Sequence, residues 1–315
     1  MSVFLVTGGA GFIGSNTVHE LVRRGHTVRV IDNLKTGHKE NLLECWDSIE
    51  FIEGDITNLA TVKKACQGVD YVIHLAAIPS VPRSVDDPIG TNHANIVGTL
   101  TLLVGARDAG VKRVVYSGSS SAYGDQDVPV KVETLTPKPL SPYAVAKLSC
   151  EHYAKVFNDL YGLQTVTLRY FNVFGPRQDP HSQYAAVIPL FITKMLAGES
   201  PTIHGDGEQS RDFTFVLNNV DANILACAAP KAPGHIINLA CGTSITVNQL
   251  VQMINDHLGT DIKPEYTASR AGDVKHSLAD VRKAKELLGF EPKISVKDGV
   301  GRTIEWLKQR TAKPA

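Results

Sequence analysis

An α/β fold built on a doubly wound parallel sheet is predicted from three features of the sequence. Short apolar runs of the fully buried strand type alternate with helical patterns from Val3 to Leu168. A glycine-rich turn, Gly8 to Gly14, lies between the first strand and the first helix, and an acid, Asp32, closes the second strand. Beyond Gly175 the alternation loosens, and a smaller α/β lobe is expected.

The first strand, Val3–Val6, feeds Thr7-Gly8-Gly9-Ala10-Gly11-Phe12-Ile13-Gly14-Ser15 and then a helix with Val18, Leu21 and Val22 on one face. Gly25 ends that helix, and Thr27–Ile31 forms the second strand. Glycines let a backbone approach a pyrophosphate, and the N–H groups and positive end of the following helix bind it. Asp32, eighteen residues after Gly14, can accept both ribose hydroxyls of an adenosine. A carboxylate there repels a 2′-phosphate, so NAD is expected rather than NADP. The first half thus reads as a Rossmann-type dinucleotide domain, with Gly8, Gly11, Phe12, Ile13, Gly14, Asp32 and Asn33 against the cofactor.

Residues 50–53 form a third strand, followed by Asp55 and Ile56 at the cofactor's adenine end. Asp55 suits either an adenine amine or the N-cap of a helix over Leu59–Cys66, and the two are compatible. Tyr71–Ala77 is a fourth buried strand whose Leu75, Ala76 and Ala77 let a cofactor lie close, with His74 as a packed structural residue. Residues 78–88, with three prolines, read as a loop over the strand ends, where open α/β sheets form their sites. A helix over Asn92–Ala109 stops at Gly110.

The fifth strand, Val114–Tyr116, runs into Ser117-Gly118-Ser119-Ser120-Ser121-Ala122-Tyr123-Gly124-Asp125. Three consecutive hydroxyls leaving a buried strand are costly to bury unless they serve as donors. Ser141-Pro142-Tyr143-Ala144-Val145-Ala146-Lys147 then opens a helix that reaches Tyr161 and ends at Gly162. Tyr143 and Lys147 are four residues apart, so both side chains leave one face of that helix. A phenol beside a fixed ammonium should have its pKa of about 10 drawn toward neutrality and take a proton from an alcohol. By itself the pattern also describes an ordinary surface helix.

A sixth strand over Gln164–Leu168 continues into residues 169–177. Helices are expected over Ile188–Leu196, Val220–Ala229, Val247–Leu258 and Val281–Leu288, the second of them returning to the first lobe. The expected division is a dinucleotide domain over residues 1–175 with a returning segment near 212–242, and a substrate lobe over 176–211 and 243–315.

Bulk properties exclude several partners. Lys and Arg number 32 and so do Asp and Glu, which leaves no basic excess for nucleic acid. The five cysteines are odd in number and include no Cys-x-x-Cys, so neither a disulfide framework nor a zinc site is suggested, and no metal is expected. No apolar run approaches the ~18 residues of a membrane helix, and no charged leader precedes the first strand. A cytoplasmic protein with no membrane partner is expected.

Several motifs together resemble the extended short-chain dehydrogenase/reductase family, in its nucleotide-sugar epimerase branch, which holds the UDP-N-acetylglucosamine and UDP-glucose 4-epimerases. They are residues 7–14, the serine cluster ending Tyr123-Gly124-Asp125, Ser141-Pro142-Tyr143 with Lys147, Arg169-Tyr170-Phe171-Asn172-Val173-Phe174-Gly175, Arg211-Asp212-Phe213 and Arg270-Ala271-Gly272-Asp273. The resemblance implies bound NAD, with Tyr143 as catalytic base, Lys147 as its partner on the nicotinamide ribose, Ser119 as the catalytic hydroxyl and Tyr170 beside the cofactor. It implies a UDP-sugar substrate held by Asn172 near the phosphates, Arg211 and Arg270 on the diphosphate and Asp273 on the uridine ribose. Ser80, Arg83, Ser120, Ser121, Val187, Gln209 and Ser277 complete the implied contacts.

Two departures narrow the expected chemistry. Dehydratases of the family carry an Asp-Glu pair after the catalytic hydroxyl, where this chain has Ser120 and Ser121, so elimination of water is not expected. The position that gates the sugar's 2-substituent is small here, Ser277, so N-acetylhexosamines should be admitted, with UDP-glucose and UDP-galactose as further substrates. The implied reaction is reversible oxidation at carbon 4 through a transient 4-keto sugar. One rival is a UDP-glucuronate epimerase or decarboxylase, with Arg83 or Ser80 receiving the carboxylate; another is a non-catalytic NAD-binding regulatory protein. The family pattern also implies a homodimer through the helices over 92–109 and 143–161.

Overall fold

The structure, a computed structural model, describes residues 1–180, 186–269 and 275–311. In chain order its first part comprises β1 (Val3–Thr7), α1 (Phe12–Arg23), β2 (Thr27–Asp32), a 3-10 segment (Lys39–Ser48), β3 (Ile49–Glu53), α2 (Leu59–Cys66) and β4 (Tyr71–His74). Next come α3 (Val81–Asp86), α4 (Pro88–Asn92), a π turn (His93–Val97), α5 (Gly98–Asp108), β5 (Arg113–Ser119), α6 (Pro142–Tyr161) and β6 (Gln164–Tyr170). The remainder holds β7 (Val173–Phe174), α7 (Val187–Leu196), β8 (Thr202–His204), β9 (Ser210–Arg211), β10 (Thr214–Phe215) and α8 (Val216–Ala228). It closes with β11 (Ile236–Leu239), β12 (Ile245–Thr246), α9 (Val247–Leu258), β13 (Glu265–Thr267), β14 (His276–Ser277), α10 (Arg282–Leu288) and α11 (Val296–Thr311).

Seven parallel strands run in the order β11-β6-β5-β4-β1-β2-β3, so the chain winds outward in both directions from the junction of β1 and β4. That junction is the switch point where crevices open beyond the carboxyl ends of the strands. β1 is buried on both faces, with Phe4 and Val6 in one apolar cluster and Leu5 in the other. The first cluster gathers Val18 and Leu21 of α1, Ala222 and Ala226 of α8, and Ala284 and Leu288 of α10. Val62 of α2 and Leu102 and Leu103 of α5 pack in the second, across the sheet. A third core unites α7, α9 and α11 with Phe174, Phe213 and Phe215, and forms the smaller C-terminal body.

Several expectations need correction. The fourth strand ends at His74, because the chain leaves the sheet there to line a cavity. The proline segment is not a loop: Ser80, at φ +99°, caps α3, and Pro82 sits in the first turn, where a missing N–H costs nothing. The long helix starts at Pro88, capped by Asp87, and passes through the π turn before α5. Asp55 is not the N-cap of α2. Asn58 is, accepting the Thr61 N–H at 3.1 Å. The last helix, α11, was not anticipated, although Val296, Val300, Ile304 and Leu307 recur at helical spacing and are buried.

Candidate active site

A single cleft of about 1290 Å³ opens at the carboxyl ends of β1, β2, β4, β5 and β6. Its size exceeds the about 300–1,000 Å³ usual for one small ligand and leaves room for two nucleotides. The turn after β1 forms one end. Gly8 adopts φ +67°, and a Cβ there would come within 2.7 Å of the Ala76 backbone. A Cβ on Gly14 would lie 2.0 Å from the Gly8 carbonyl oxygen, so the start of α1 can press against this turn only without a side chain. Gly11, Phe12 and Ile13 line the same end and set the first turn of α1 toward the space.

Asp32 is 7% exposed and also faces the cleft, with Oδ2 accepting the Ala10 N–H at 2.9 Å and Oδ1 the Leu34 N–H at 2.8 Å. Burial pushes its pKa up and these two bonds counter it. Each oxygen keeps lone-pair capacity for a diol. Asn33, Asp55 and Ile56 continue this wall, with Asn33 donating to Asp55 at 2.8 Å. On the other side Leu75, Ala76 and Ala77 line the cleft, held in place by Thr7, whose hydroxyl accepts the Ala76 N–H and bonds His74 Nδ1 at 2.7 Å. His74 is fully packed and, as expected, structural. Burial lowers its pKa to about 3, so it stays neutral.

The catalytic candidates meet beyond β5. Ser141 caps α6 by accepting the Ala144 N–H at 3.1 Å, which directs Tyr143 and Lys147 into the cleft beside Ser119. The Ser119 hydroxyl accepts from the Ser121 hydroxyl at 2.8 Å and lines the cleft together with the Tyr143 phenol. Lys147 is 5% exposed and donates to the Ser117 carbonyl at 2.7 Å. Its Nζ lies 5.9 Å from the Tyr143 ring centroid. The expected acidification of the phenol is not present in the protein alone. Burial raises the Tyr143 pKa, with the neighbouring Ser119 hydroxyl working against it, while burial brings Lys147 down to about 8.

Of the substrate candidates, Ser80, Arg83, Ser120, Ser121, Asn172, Arg211 and Ser277 all face the cleft, and so does the cofactor candidate Tyr170, with its hydroxyl turned to Asn223 at 2.6 Å. Asn172 holds φ +36°, a conformation asparagine tolerates better than most side chains, and its amide donates to the Asp212 carbonyl. Arg211 and Ser277 are register partners in parallel strands β9 and β14. Val187 and Gln209 are not brought to the cleft. Val187 packs against the C-terminal core, and Gln209 donates to the His204 carbonyl at 2.8 Å. Arg270 and Asp273 lie outside the described residues. His38, His93, Lys131 and Gln178 also line the cleft and were missed, since a lone histidine, lysine or glutamine outside a strand end carries no local signal. Among the described residues no group of three His, Cys, Asp or Glu could hold a metal, and no helix is long and apolar enough to cross a membrane.

A strand-end glycine turn, a buried acid closing β2 and a Ser-Tyr-Lys trio around one cleft are the arrangement of an extended short-chain dehydrogenase/reductase. Residues 4–240 match the NAD dependent epimerase/dehydratase family, and the chain belongs to it. A putative UDP-glucose 4-epimerase of Methanocaldococcus jannaschii is 38% identical over 308 residues, covering 97% of this chain and 98% of the relative. A UDP-glucuronate 4-epimerase of Thermodesulfobacterium geofontis is 37% identical over 321 residues, covering 98% and 97%. Among solved structures, a UDP-N-acetylglucosamine 4-epimerase from Methanobrevibacter ruminantium, in complex with UDP-N-acetylmuramic acid, superposes with a TM-score of 0.94 at 43% identity, covering 98% of this chain and 99% of that one. The UDP-glucose 4-epimerase of Thermotoga maritima with UDP-glucose gives a TM-score of 0.92 at 41% identity, again covering 98% and 99%. This protein is therefore an NAD-dependent enzyme of the epimerase branch.

Proposed function

We propose that the chain interconverts UDP-N-acetylglucosamine and UDP-N-acetylgalactosamine at carbon 4, with UDP-glucose and UDP-galactose as further substrates. The convergence of Tyr143, Lys147 and Ser119 on the cleft that the glycine turn enters carries this reading. The small Ser277 on the cleft wall, and relatives named for both acetylated and plain UDP-hexoses, support the substrate range.

Residues of the first turn of α1, Asp32, Asp55 and Ala76 fit NAD: the turn admits a pyrophosphate and Asp32 a ribose diol. When bound, NAD supplies hydride acceptance and return at the sugar's carbon 4. Tyr143 takes the 4-hydroxyl proton and returns it to the same oxygen once the ring has turned its other face to the cofactor, and Ser119 holds that oxygen beside it. Lys147, anchored to Ser117, orients the ribose and adds positive charge that favours the phenolate. Arg211 and Asn172 hold the diphosphate while the ring turns over, and Arg270 and Asp273 are assigned to the same nucleotide. Incubating the purified protein with each UDP-sugar and identifying the products tests the reading; inertness toward all of them would overturn it.

A second reading, epimerisation of UDP-glucuronate, has Arg83 and Ser80 on the cleft wall and a similarly named relative in its favour. UDP-glucuronate in the same assay separates the two. We further assign the dinucleotide to residues 1–175 with 212–242 and the sugar nucleotide to 176–211 and 243–315, α10 excepted because it packs in the first core. Exposed Ile89, Val145, Val156 and Leu160 on α4 and α6 support a homodimer through these helices, which sedimentation would detect. Five free thiols suit a reducing compartment such as the cytoplasm.

A further inference from the structure

Behind the cleft lies a buried ion pair that the proposed mechanism does not use. Glu151 and Arg169 have side-chain exposures of 0% and 2%, and the guanidinium grips the carboxylate through Nη2 at 2.7 Å and Nε at 3.1 Å. Replacing such pairs by apolar side chains of similar volume is often neutral or stabilising, so stability alone does not account for it. Its location does. Glu151 follows Lys147 by one turn of α6, and Arg169 lies on β6 three residues before Asn172. A Cβ on Gly118 would stand 2.8 Å from Glu151 Oε1, so the end of β5 that carries Ser119 rests on the carboxylate. The Arg169 guanidinium lies 4.6 Å from the ring centroid of Tyr123, the last residue of the serine segment. Tyr123 in turn donates to Asn238 of β11 at 2.6 Å.

We infer that Glu151 and Arg169 are positioning residues for the reaction, a buried clamp that sets Ser119, Lys147 and Asn172 relative to one another without touching substrate. The inference rests on the catalytic reading of Tyr143, Lys147 and Ser119 given above. Each of the three segments that meet the sugar end leans on one member of the pair, and no other buried pair of opposite charge joins them among the described residues. The groups facing Lys147 are Tyr116 and Ser117 of β5, His74 of β4, and Tyr143, Cys150 and Glu151 of its own helix. His74, Tyr116 and Cys150 are held neutral by burial; burial pushes the Glu151 pKa up as well, but the Arg169 guanidinium bonded to it works against that and makes it the neighbouring anion.

The test is the double variant Glu151→Met with Arg169→Met, which keeps volume and removes both charges, alongside the conservative Glu151→Asp. Expected for the double variant are a Tm at or above that of the parent and unchanged NAD binding. Its kcat should fall about ten- to hundred-fold and KM rise by less than that as Asn172 shifts, and the alkaline limb of the kcat profile should move to lower pH. Glu151→Asp should fold, keep the limb and lose only part of kcat. Parental kcat and pH profile in the double variant would overturn the inference, as would parental kcat in Glu151→Asp should the double variant not fold. Amide hydrogen exchange gives a readout independent of turnover. Faster exchange confined to residues 118–124 and 170–173 supports the clamp, and unchanged exchange there overturns it. A parent protein inert toward every UDP-sugar sinks the proposed function instead, and the exchange experiment still decides the clamp.

Discussion

Lys147 Nζ donates to the carbonyl oxygen of Ser117 at 2.7 Å, which ties the ammonium to the end of β5 rather than to the phenol one turn before it. The lysine is therefore held at a fixed point, 5.9 Å from the Tyr143 ring centroid, and burial disfavours its charge. Several outcomes can be stated from this arrangement and from the walls of the cleft.

Replacing Tyr143 by Phe removes the proposed acid/base group but keeps the ring. NAD should bind as before, while turnover falls by about 10²–10⁴. Equilibrium dialysis with NAD and a coupled product assay would measure both, and turnover above a tenth of the parent's would contradict the assignment.

Lys147 has a pKa of about 8 in the fold against 10.5 when unperturbed. Between these values the unfolded chain holds the extra proton, so stability rises with pH across that window, and the full cost of the buried charge is present below about 8. Urea midpoints on either side of the window should climb for the parent but not for Lys147→Met. Activity moves the opposite way, falling as the ammonium is lost above about pH 8.

Gly14→Ala places a Cβ 2.0 Å from the Gly8 carbonyl oxygen, so the first turn of α1 must move away. NAD binding should be lost even where circular dichroism shows a folded protein. Tight NAD binding by this variant would argue that the turn is not the pyrophosphate site.

Ser277→Tyr fills the wall beside Arg211 and should cut activity on UDP-N-acetylglucosamine far more than on UDP-glucose. Equal loss on both would remove Ser277 as the gate.

Asp212 is fully buried and its carboxylate accepts the N–H groups of Cys241 at 2.9 Å, Gly242 at 3.0 Å and Ala279 at 3.3 Å, joining the strands that present Arg211 and Ser277. Burial lifts its pKa to about 6 from 3.8, so its titration favours the fold at low pH and that contribution fades as pH rises through about 6. Asp212→Asn turns a donor toward N–H donors and should cost about 1–3 kcal/mol in denaturant unfolding, with a raised KM for the UDP-sugar.

Local chemistry made much of this legible in advance. The β1 turn, Asp32, the strand runs and the Tyr143–Lys147 spacing depend on neighbours in the chain, and Gly8, Asp32, Tyr143 and Lys147 line one cleft. α3 was misread as a loop because its prolines sit where a first turn accepts them, and a count of prolines does not show that.

What the amino-acid order determined alone was the alternation of buried strands and amphipathic helices, the glycine turn, and one helix face carrying both Tyr143 and Lys147. Only the tertiary structure decided that Lys147 is anchored to Ser117, that the Tyr143 phenol is raised by burial, and that Glu151 and Arg169 meet eighteen residues apart behind Ser119. Those outcomes come from desolvation and packing between distant segments, and neither quantity exists until β5, β6 and α6 close on one another.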